Sequence, residues 1–354
     1  TAGASHMLAR LPVGAYILEE REAPLEQGYI RAEFMGLVLE DTEEVQKFFL
    51  QDAFTRTAFA KLDVRTQREI EGAQMTLYKA LLDESGEPIL DAQGRYQKGE
   101  AVAGWVSGYA YDDDGNQIFD GEGNPISTTE PHWIDHLPVG RYVLEETVCP
   151  YAQGYVQSET VNVDVLETGH VQSFAMEDDF TALEIRKYDT KNKDVLYEDS
   201  AAVLGLYRAA LDAEGNPQLG ADGTPLYREE DLIFTFRSAT YRDGQDVAAT
   251  GRLTPDAGGN NPIVKYDYQY QPIPNTVQGR WYYTERGTTR LEYLPVGSYV
   301  LAEEETPSGY ATAAPILITL EDVGHLTEIQ SAEMGDSPLR LSVSKEEITG
   351  GKEV

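Results

Sequence analysis

The sequence predicts an all-β chain of tandem β-sandwich domains. Three observations predict it: a ten-residue segment that occurs three times, runs in which apolar and polar residues alternate, and clusters of Gly, Pro, Asn and Asp between those runs. Around Lys61, for example, Thr57, Phe59 and Lys61 fall on one face and Ala58, Ala60 and Leu62 on the other, which is the period of two expected of strands. No long stretch of 3.6-residue period competes with it.

The chain has 354 residues, a length that suits two to four domains rather than one. Its 61 acidic and 28 basic residues give a formal net charge of −33. That balance excludes nucleic acid and anionic membrane surfaces as natural partners, since both demand a basic face. High charge can signal disorder, but 22 tyrosines and strands rich in Val, Ile and Phe argue for folded β-structure. One cysteine, Cys149, rules out an internal disulfide framework, so a chain working outside the cell must be stiffened by other means. No segment approaches the roughly 18 apolar residues of a spanning helix. Thr1 to Met7 read as a tag remnant and stand outside the fold.

The repeated segment is Leu11-Pro12-Val13-Gly14-Ala15-Tyr16-Ile17-Leu18-Glu19-Glu20, which returns from Leu137 to Glu146 and from Leu294 to Glu303. A proline and then Gly-Tyr follow each copy: Pro24 and Gly28-Tyr29, Pro150 and Gly154-Tyr155, Pro307 and Gly309-Tyr310. An aspartate stands 32 positions after Glu20 (Asp52), 32 after Glu146 (Asp178) and 33 after Glu303 (Asp336). Nine positions beyond each aspartate comes a lysine: Lys61, Lys187 and Lys345.

Period two places these charges on apolar faces. Glu146 continues the face of Tyr142 and Leu144, Asp178 that of Phe174 and Met176, and Lys187 that of Leu183 and Ile185. Glu303 (after Tyr299 and Leu301), Asp336 (after Met334) and Lys345 (after Leu341 and Val343) repeat the pattern. An unpaired charge on an inward face costs several kcal/mol, so the three must meet or neutralise one another. An amine taken out of water is driven to its neutral, nucleophilic form, and a buried carboxyl group to its acid form. A neutral lysine beside an aspartic acid, with a glutamic acid to shuttle protons, is equipped to form an amide and release water. The alternative is a buried ion cluster without a covalent bond.

This constellation resembles the collagen-binding-protein B-type domain, also seen in SpaA-like backbone pilins and adhesins of Gram-positive bacteria. The matching residues are the Lys-x-Asp openings (Lys61-Leu62-Asp63 and Lys187-Tyr188-Asp189), Gly72-Ala73 and Leu77-Tyr78, the Tyr-x-Leu-x-Glu segments, and the later Pro and Gly-Tyr. The resemblance implies prealbumin-like or Ig-like sandwiches in an elongated array. It implies a Lys61–Asp178 amide with Glu146 as catalyst and a Lys187–Asp336 amide with Glu303 as catalyst. Many relatives use Asn where this chain has Asp, so water rather than ammonia would leave. In the second repeat the stretch from Leu196 to Tyr207 lacks the Gly-Ala pair.

Lys precedes Glu, which precedes Asp, within one domain, so residues 55–180 and 181–336 are expected to be complete units. Residues 8–54 hold Glu20 and Asp52 without an earlier lysine and read as the C-terminal part of a truncated unit; residues 337–354 hold Lys345 and read as the first strand of a following one. Asp52 and Lys345 are thus unpaired halves of cross-links, and the parent protein is expected to continue at both ends. Head-to-tail strand complementation between two fragments is a further expectation.

The expected role is a structural stalk or spacer of a Gram-positive surface adhesin or pilin, extracellular or wall-attached, with single-turnover self-cross-linking and no enzymatic turnover. The rival is a ligand-binding adhesin module that recognises a host or environmental glycan or matrix protein through the insertion at 229–290, which carries Tyr266, Tyr268, Tyr270, Trp281, Tyr282 and Tyr283. A smaller insertion, 99–134, carries Trp105, Tyr109, Tyr111 and Trp133, read as cross-strand pairs of elongated hairpins. A glycosidase with paired carboxylates is set aside, because the repeat already accounts for those acids. No cofactor or metal is expected. Asp112, Asp114, Asn116 and Asp120 hint at a calcium loop, but Gly115 comes too early for an EF-hand, and Asp83–Gly86 and Asp212–Gly215 read as similar turns. His132, His136, His170 and His325 lack metal-like spacing, and Cys149 reads as a semi-buried thiol.

Overall fold

The computed structural model describes residues 6–193, 202–238 and 288–345, together with the backbones of the short strands Lys265–Tyr266, Pro272–Ile273 and Trp281–Glu285. The tyrosine and tryptophan side chains singled out in the 229–290 insertion, and residues 196–201 of the second repeat, lie outside the described residues. Those residues are all-β, interrupted only by two short 3-10 turns, Leu25–Gln27 and Tyr151–Gln153. None of their helices is long and apolar enough to cross a membrane. The chain divides into two compact units, Thr1–Cys149 with Ser158–Glu177, and Pro150–Gln157 with Asp178–Val354.

The first unit contains a sandwich. One sheet runs Val161–Val165, Gly140–Val148, Gln74–Ala80, Lys98–Val106, and the other runs Val171–Asp178, Arg56–Asp63, His132–Asp135. Alternate residues of both point inward, so Phe59, Met75, Leu77, Tyr142, Leu144, Val163 and Met176 form one buried cluster. Trp105 belongs to it as well, 6% exposed and stacked on His132 at 4.5 Å between ring centroids, so this aromatic of the smaller insertion is core. The Asp112 carboxylate accepts the amides of Asp114 and Asn116, and that of Asp83 those of Ser85 and Glu87, as turn-capping aspartates do. Cys149 is fully buried rather than semi-buried, at 3% exposure.

Besides the short antiparallel pair of Tyr29–Ile30 with Ala53–Phe54, residues 8–54 contribute a hairpin, Gly14–Leu18 antiparallel to Met35–Leu39 with Tyr16 opposite Leu37. It is joined to the sandwich through Gly28. With a left-handed φ of 74°, Gly28 lies so close to the His136 backbone that an added Cβ would stand 2.1 Å from the His136 carbonyl oxygen. Thr55 ties the joint, its amide donating to Gly28 O at 2.8 Å and its hydroxyl to Leu137 O at 2.6 Å.

The second unit is built the same way. Ala182–Asp189 lies between Thr288–Glu292, antiparallel, and Gln330–Pro338, parallel. The opposing sheet runs Tyr227–Arg237, Val203–Ala209, Gly297–Glu305, Ile316–Leu320. Leu183, Ile185, Leu204, Leu206, Tyr299, Leu301 and Met334 fill the space between.

Two half-buried titratable groups of the first unit pull its stability in opposite directions with pH. Burial between Trp105 and Tyr111 pushes the His132 imidazole down to about 4. Unfolded chains therefore bind the extra proton between about pH 6.5 and 4, and stability from this group is lost as pH falls through that window, by up to about 3 kcal/mol. Burial pushes the Glu69 carboxyl up to about 7, so its contribution is full below about pH 4.5 and lost as pH rises through 7. Between pH 4.5 and 6.5 the two offset. Thermal unfolding of the first unit should be nearly flat there in the parent chain; His132→Phe should make the melting temperature fall with rising pH, and Glu69→Gln should make it rise.

Candidate functional site: a buried lysine, glutamate and aspartate

In the second unit the chain forms the site from three strands. Lys187 sits in Ala182–Asp189, where inward and outward residues alternate, and the parallel register pairs Lys187 with Met334 and Asp189 with Asp336. This sets the two inward side chains, Lys187 and Asp336, next to each other on neighbouring strands. Glu303 reaches them from Gly297–Glu305 of the opposite sheet, where a β-bulge intervenes: Val203 pairs with Glu305 but Leu204 with Glu303. Such a bulge re-aims the side chain at its edge. The first unit has the same irregularity beside Glu146, with Gln74 opposite Val148 and Met75 opposite Glu146.

Lys187 and Asp336 are completely buried. The Lys187 Nζ stands 3.0 Å from Glu303 Oε1 and donates a hydrogen bond to Asp336 Oδ1. The other oxygen of Glu303 is occupied, accepting the Ala313 amide at 2.7 Å and the Thr306 hydroxyl at 3.2 Å, which turns Oε1 toward the amine. Burial pushes the Asp336 carboxyl up to about 6, against the pull of Lys187 and with the help of Glu303. The acid form of Asp336, whose carbonyl carbon an amine can attack, is therefore accessible near neutral pH. Asp189 braces the end of the strand: its Oδ1 accepts the Lys191 amide at 2.7 Å, and its Oδ2 the Tyr310 hydroxyl at 2.9 Å.

In the first unit Lys61 Nζ stands 3.3 Å from Glu146 Oε1, with both side chains buried. Ser158 ties the pair together. Its amide donates to Glu146 Oε2 at 3.1 Å, its hydroxyl accepts from Lys61 Nζ at 3.2 Å, and that hydroxyl in turn donates to Glu177 O. Asp178, fully buried, ends the strand that runs beside the Lys61 strand. The Lys61 amide meets the Glu69 carboxylate at 3.2 Å.

The hairpin of residues 8–54 holds Glu20 in the same way, its Oε2 accepting the Ala32 amide at 2.8 Å. Asp52 and Lys345, by contrast, are exposed and lie outside strands. Sequence reasoning missed Ser158, Ala313 and Ala32, the residues whose amides orient the three glutamates. They share no side-chain chemistry, and only their place after each glutamate links them.

Among known proteins, residues 55–179 match the family model of the SpaA prealbumin-like fold domain. No curated protein matches the chain. Solved structures similar to it include the Bacillus anthracis TIE protein, at 17% identity over 92% of this chain and 42% of that one, with a TM-score of 0.35. The chain thus spans less than half the length of that protein. A streptococcal ancillary pilin matches at 14% identity over 93% of this chain and 76% of its own, TM-score 0.26. The shaft pilin SpaA of Lactobacillus rhamnosus GG matches at 13% identity over 82% and 99%, TM-score 0.25. The family match, the two facing sheets and the buried core between them make residues 55–179 a SpaA-type domain with the prealbumin-like fold.

Proposed function

We propose that the chain is a covalently clamped tether, a structural segment of a Gram-positive surface adhesin or pilus whose complete repeats each close one Lys–Asp amide. The observation that carries this reading is the completely buried cluster in which Lys187 Nζ touches both Asp336 Oδ1 and Glu303 Oε1. In the reaction the neutral amine of Lys187 attacks Cγ of the Asp336 acid. The acid form of Glu303 gives a proton to the departing hydroxyl, water leaves, and Glu303 recovers a proton from the amine nitrogen. A C–N bond forms, a C–O bond breaks, and Glu303 ends unchanged. Proximity lowers the barrier, since a fixed pair reacts as if at very high effective molarity, and the product removes two charges from the core. The first repeat, residues 55–180, would close the Lys61–Asp178 amide with Glu146 in the same role, in a single turnover.

The clamp explains how a chain with one cysteine resists pulling. Lys187 lies on the first strand of its repeat and Asp336 on the last, side by side and parallel. Force entering at one end of the repeat passes through the amide to the other, and the segment between, whose ends are 149 positions apart in sequence, cannot extend. This load path suits an extracellular stalk, and the net charge of −33 favours solubility there.

Proteolysis followed by tandem mass spectrometry tests the reading. Branched peptides joining Lys187 to Asp336 and Lys61 to Asp178 are expected; recovery of all four as linear peptides would leave a buried ion cluster and no clamp.

A further inference from the structure

The two complete repeats fix their glutamate in the same way but their lysine differently. Ser158 and Ala313 hold equivalent places, since the amide of each donates to the second oxygen of its glutamate, Ser158 N to Glu146 Oε2 at 3.1 Å and Ala313 N to Glu303 Oε2 at 2.7 Å. The Ala32 amide does the same for Glu20. A backbone amide is all that this task requires, and alanine serves it in two of the three places. Orienting the glutamate therefore does not explain the hydroxyl of Ser158.

That hydroxyl is engaged on both sides. It donates to Glu177 O at 2.7 Å, which leaves it only lone pairs to offer the lysine, and Lys61 Nζ donates to it at 3.2 Å. Ser158 thus links three parts of the site: the Glu146 carboxylate through its amide, the Lys61 amine through its hydroxyl, and the Val171–Asp178 strand through the carbonyl just before Asp178. The second repeat is built without this link. Lys187 Nζ meets Glu303 and Asp336 and, among the described residues, no hydroxyl.

We infer that Ser158 is a positioning residue for the amide of the first repeat; the inference rests on the amide chemistry proposed above. A neutral amine carries two N–H bonds and one lone pair. With one N–H held by Ser158 Oγ and the other facing Glu146 Oε1 at 3.3 Å, rotation about Cε–Nζ stops. The lone pair then takes the remaining tetrahedral direction, the one from which it attacks Asp178 Cγ. Fixing reacting groups in such an arrangement is what turns closeness into rate. In the step itself the N–H that faces Glu146 gives up its proton to that carboxylate after Glu146 has protonated the departing hydroxyl. One C–N bond forms, one C–O bond breaks and water leaves. The amide keeps the N–H that Ser158 holds, and Ser158 ends unchanged.

Cell-free translation of the full chain, quenched into denaturant at set times and digested, tests it through the ratio of branched to linear peptides for each repeat. The Lys187–Asp336 amide serves as a clock within the same molecule. Ser158→Ala should slow the Lys61–Asp178 amide about tenfold, the effect of losing one hydrogen bond, and leave the Lys187–Asp336 amide on the parent schedule. Ser158→Thr keeps the hydroxyl and should restore the parent rate. Ser158→Cys, similar in size but a weak acceptor, should stay slow. Unchanged closure of the first amide in Ser158→Ala, equal slowing of both amides, or a Ser158→Thr chain as slow as Ser158→Ala would each overturn the inference. A parent chain that yields only linear peptides at every time overturns the amide reading itself and this role with it. A parent chain that closes both amides, with Ser158→Ala on the same schedule, overturns the role of Ser158 alone.

Discussion

Glu303→Gln should leave Lys187 and Asp336 unjoined and lower the melting temperature of the second repeat by roughly 10–20 °C. The substitution keeps the size of the side chain and an oxygen to accept the Ala313 amide, so the fold is retained while the proton carrier is lost. The amide it prevents would close a loop of 149 positions. In the chain-entropy account of cross-links such a loop amounts to about 5 kcal/mol. At about 2–4 °C per kcal/mol for a domain of this size, that gives the expected fall, which calorimetry at matched pH would measure. Asp336→Ala should be worse, because it removes the link and also takes a partner from a fully buried lysine, a loss of about 3–5 kcal/mol on its own. Equal melting temperatures for the parent chain and Glu303→Gln would mean that nothing covalent is lost.

The second large effect concerns the joint rather than the clamp. Gly154 has a left-handed φ of 85°, and a Cβ there would stand 2.1 Å from the Tyr293 carbonyl carbon, a backbone atom that cannot swing away. Gly154→Ala must therefore open the joint. It costs about 1–2 kcal/mol for the left-handed backbone and about 1 kcal/mol for each bond broken. The bonds at stake are Thr181 N to Gly154 O and the Thr181 hydroxyl to Leu294 O, so the total is about 3–4 kcal/mol. Gly309 supplies the control. Its φ is 87° but nothing lies within 4 Å of its missing Cβ, so Gly309→Ala should cost only the backbone term, about 1–2 kcal/mol. Hydrogen exchange of the Thr181 and Tyr293 amides would report the difference directly, with fast exchange in Gly154→Ala and little change in Gly309→Ala.

The fold was legible in the sequence because its signals are local. Alternation along Leu183, Ile185 and Lys187 is a property of one strand, and it places Lys187 inward whatever the neighbour. The triplicated Leu-Pro-Val-Gly segment, with its glutamate and later aspartate and lysine, is also readable from one chain alone. What escaped depends on pairing between strands distant in sequence. The bulges at Glu146 and Glu303 exist only because Gln74–Ala80 and Val203–Ala209 lie alongside. Ser158, Ala313 and Ala32 act through backbone amides, which every residue type but proline carries, so no side-chain pattern marks them. The burial of Trp105 and Cys149 depends likewise on which sheet face meets them. Alternation did mark Lys345 as inward, yet it is exposed and lies outside any strand, because alternation buries a side chain only where an opposing layer is present.

Intact mass of the natively folded chain, taken under denaturing conditions, tests the covalent clamp most directly. The account predicts a mass two waters below that of the sequence, rising by one water in Glu146→Gln, by one in Glu303→Gln and by both in the double variant. A folded parent chain at its full sequence mass would contradict it.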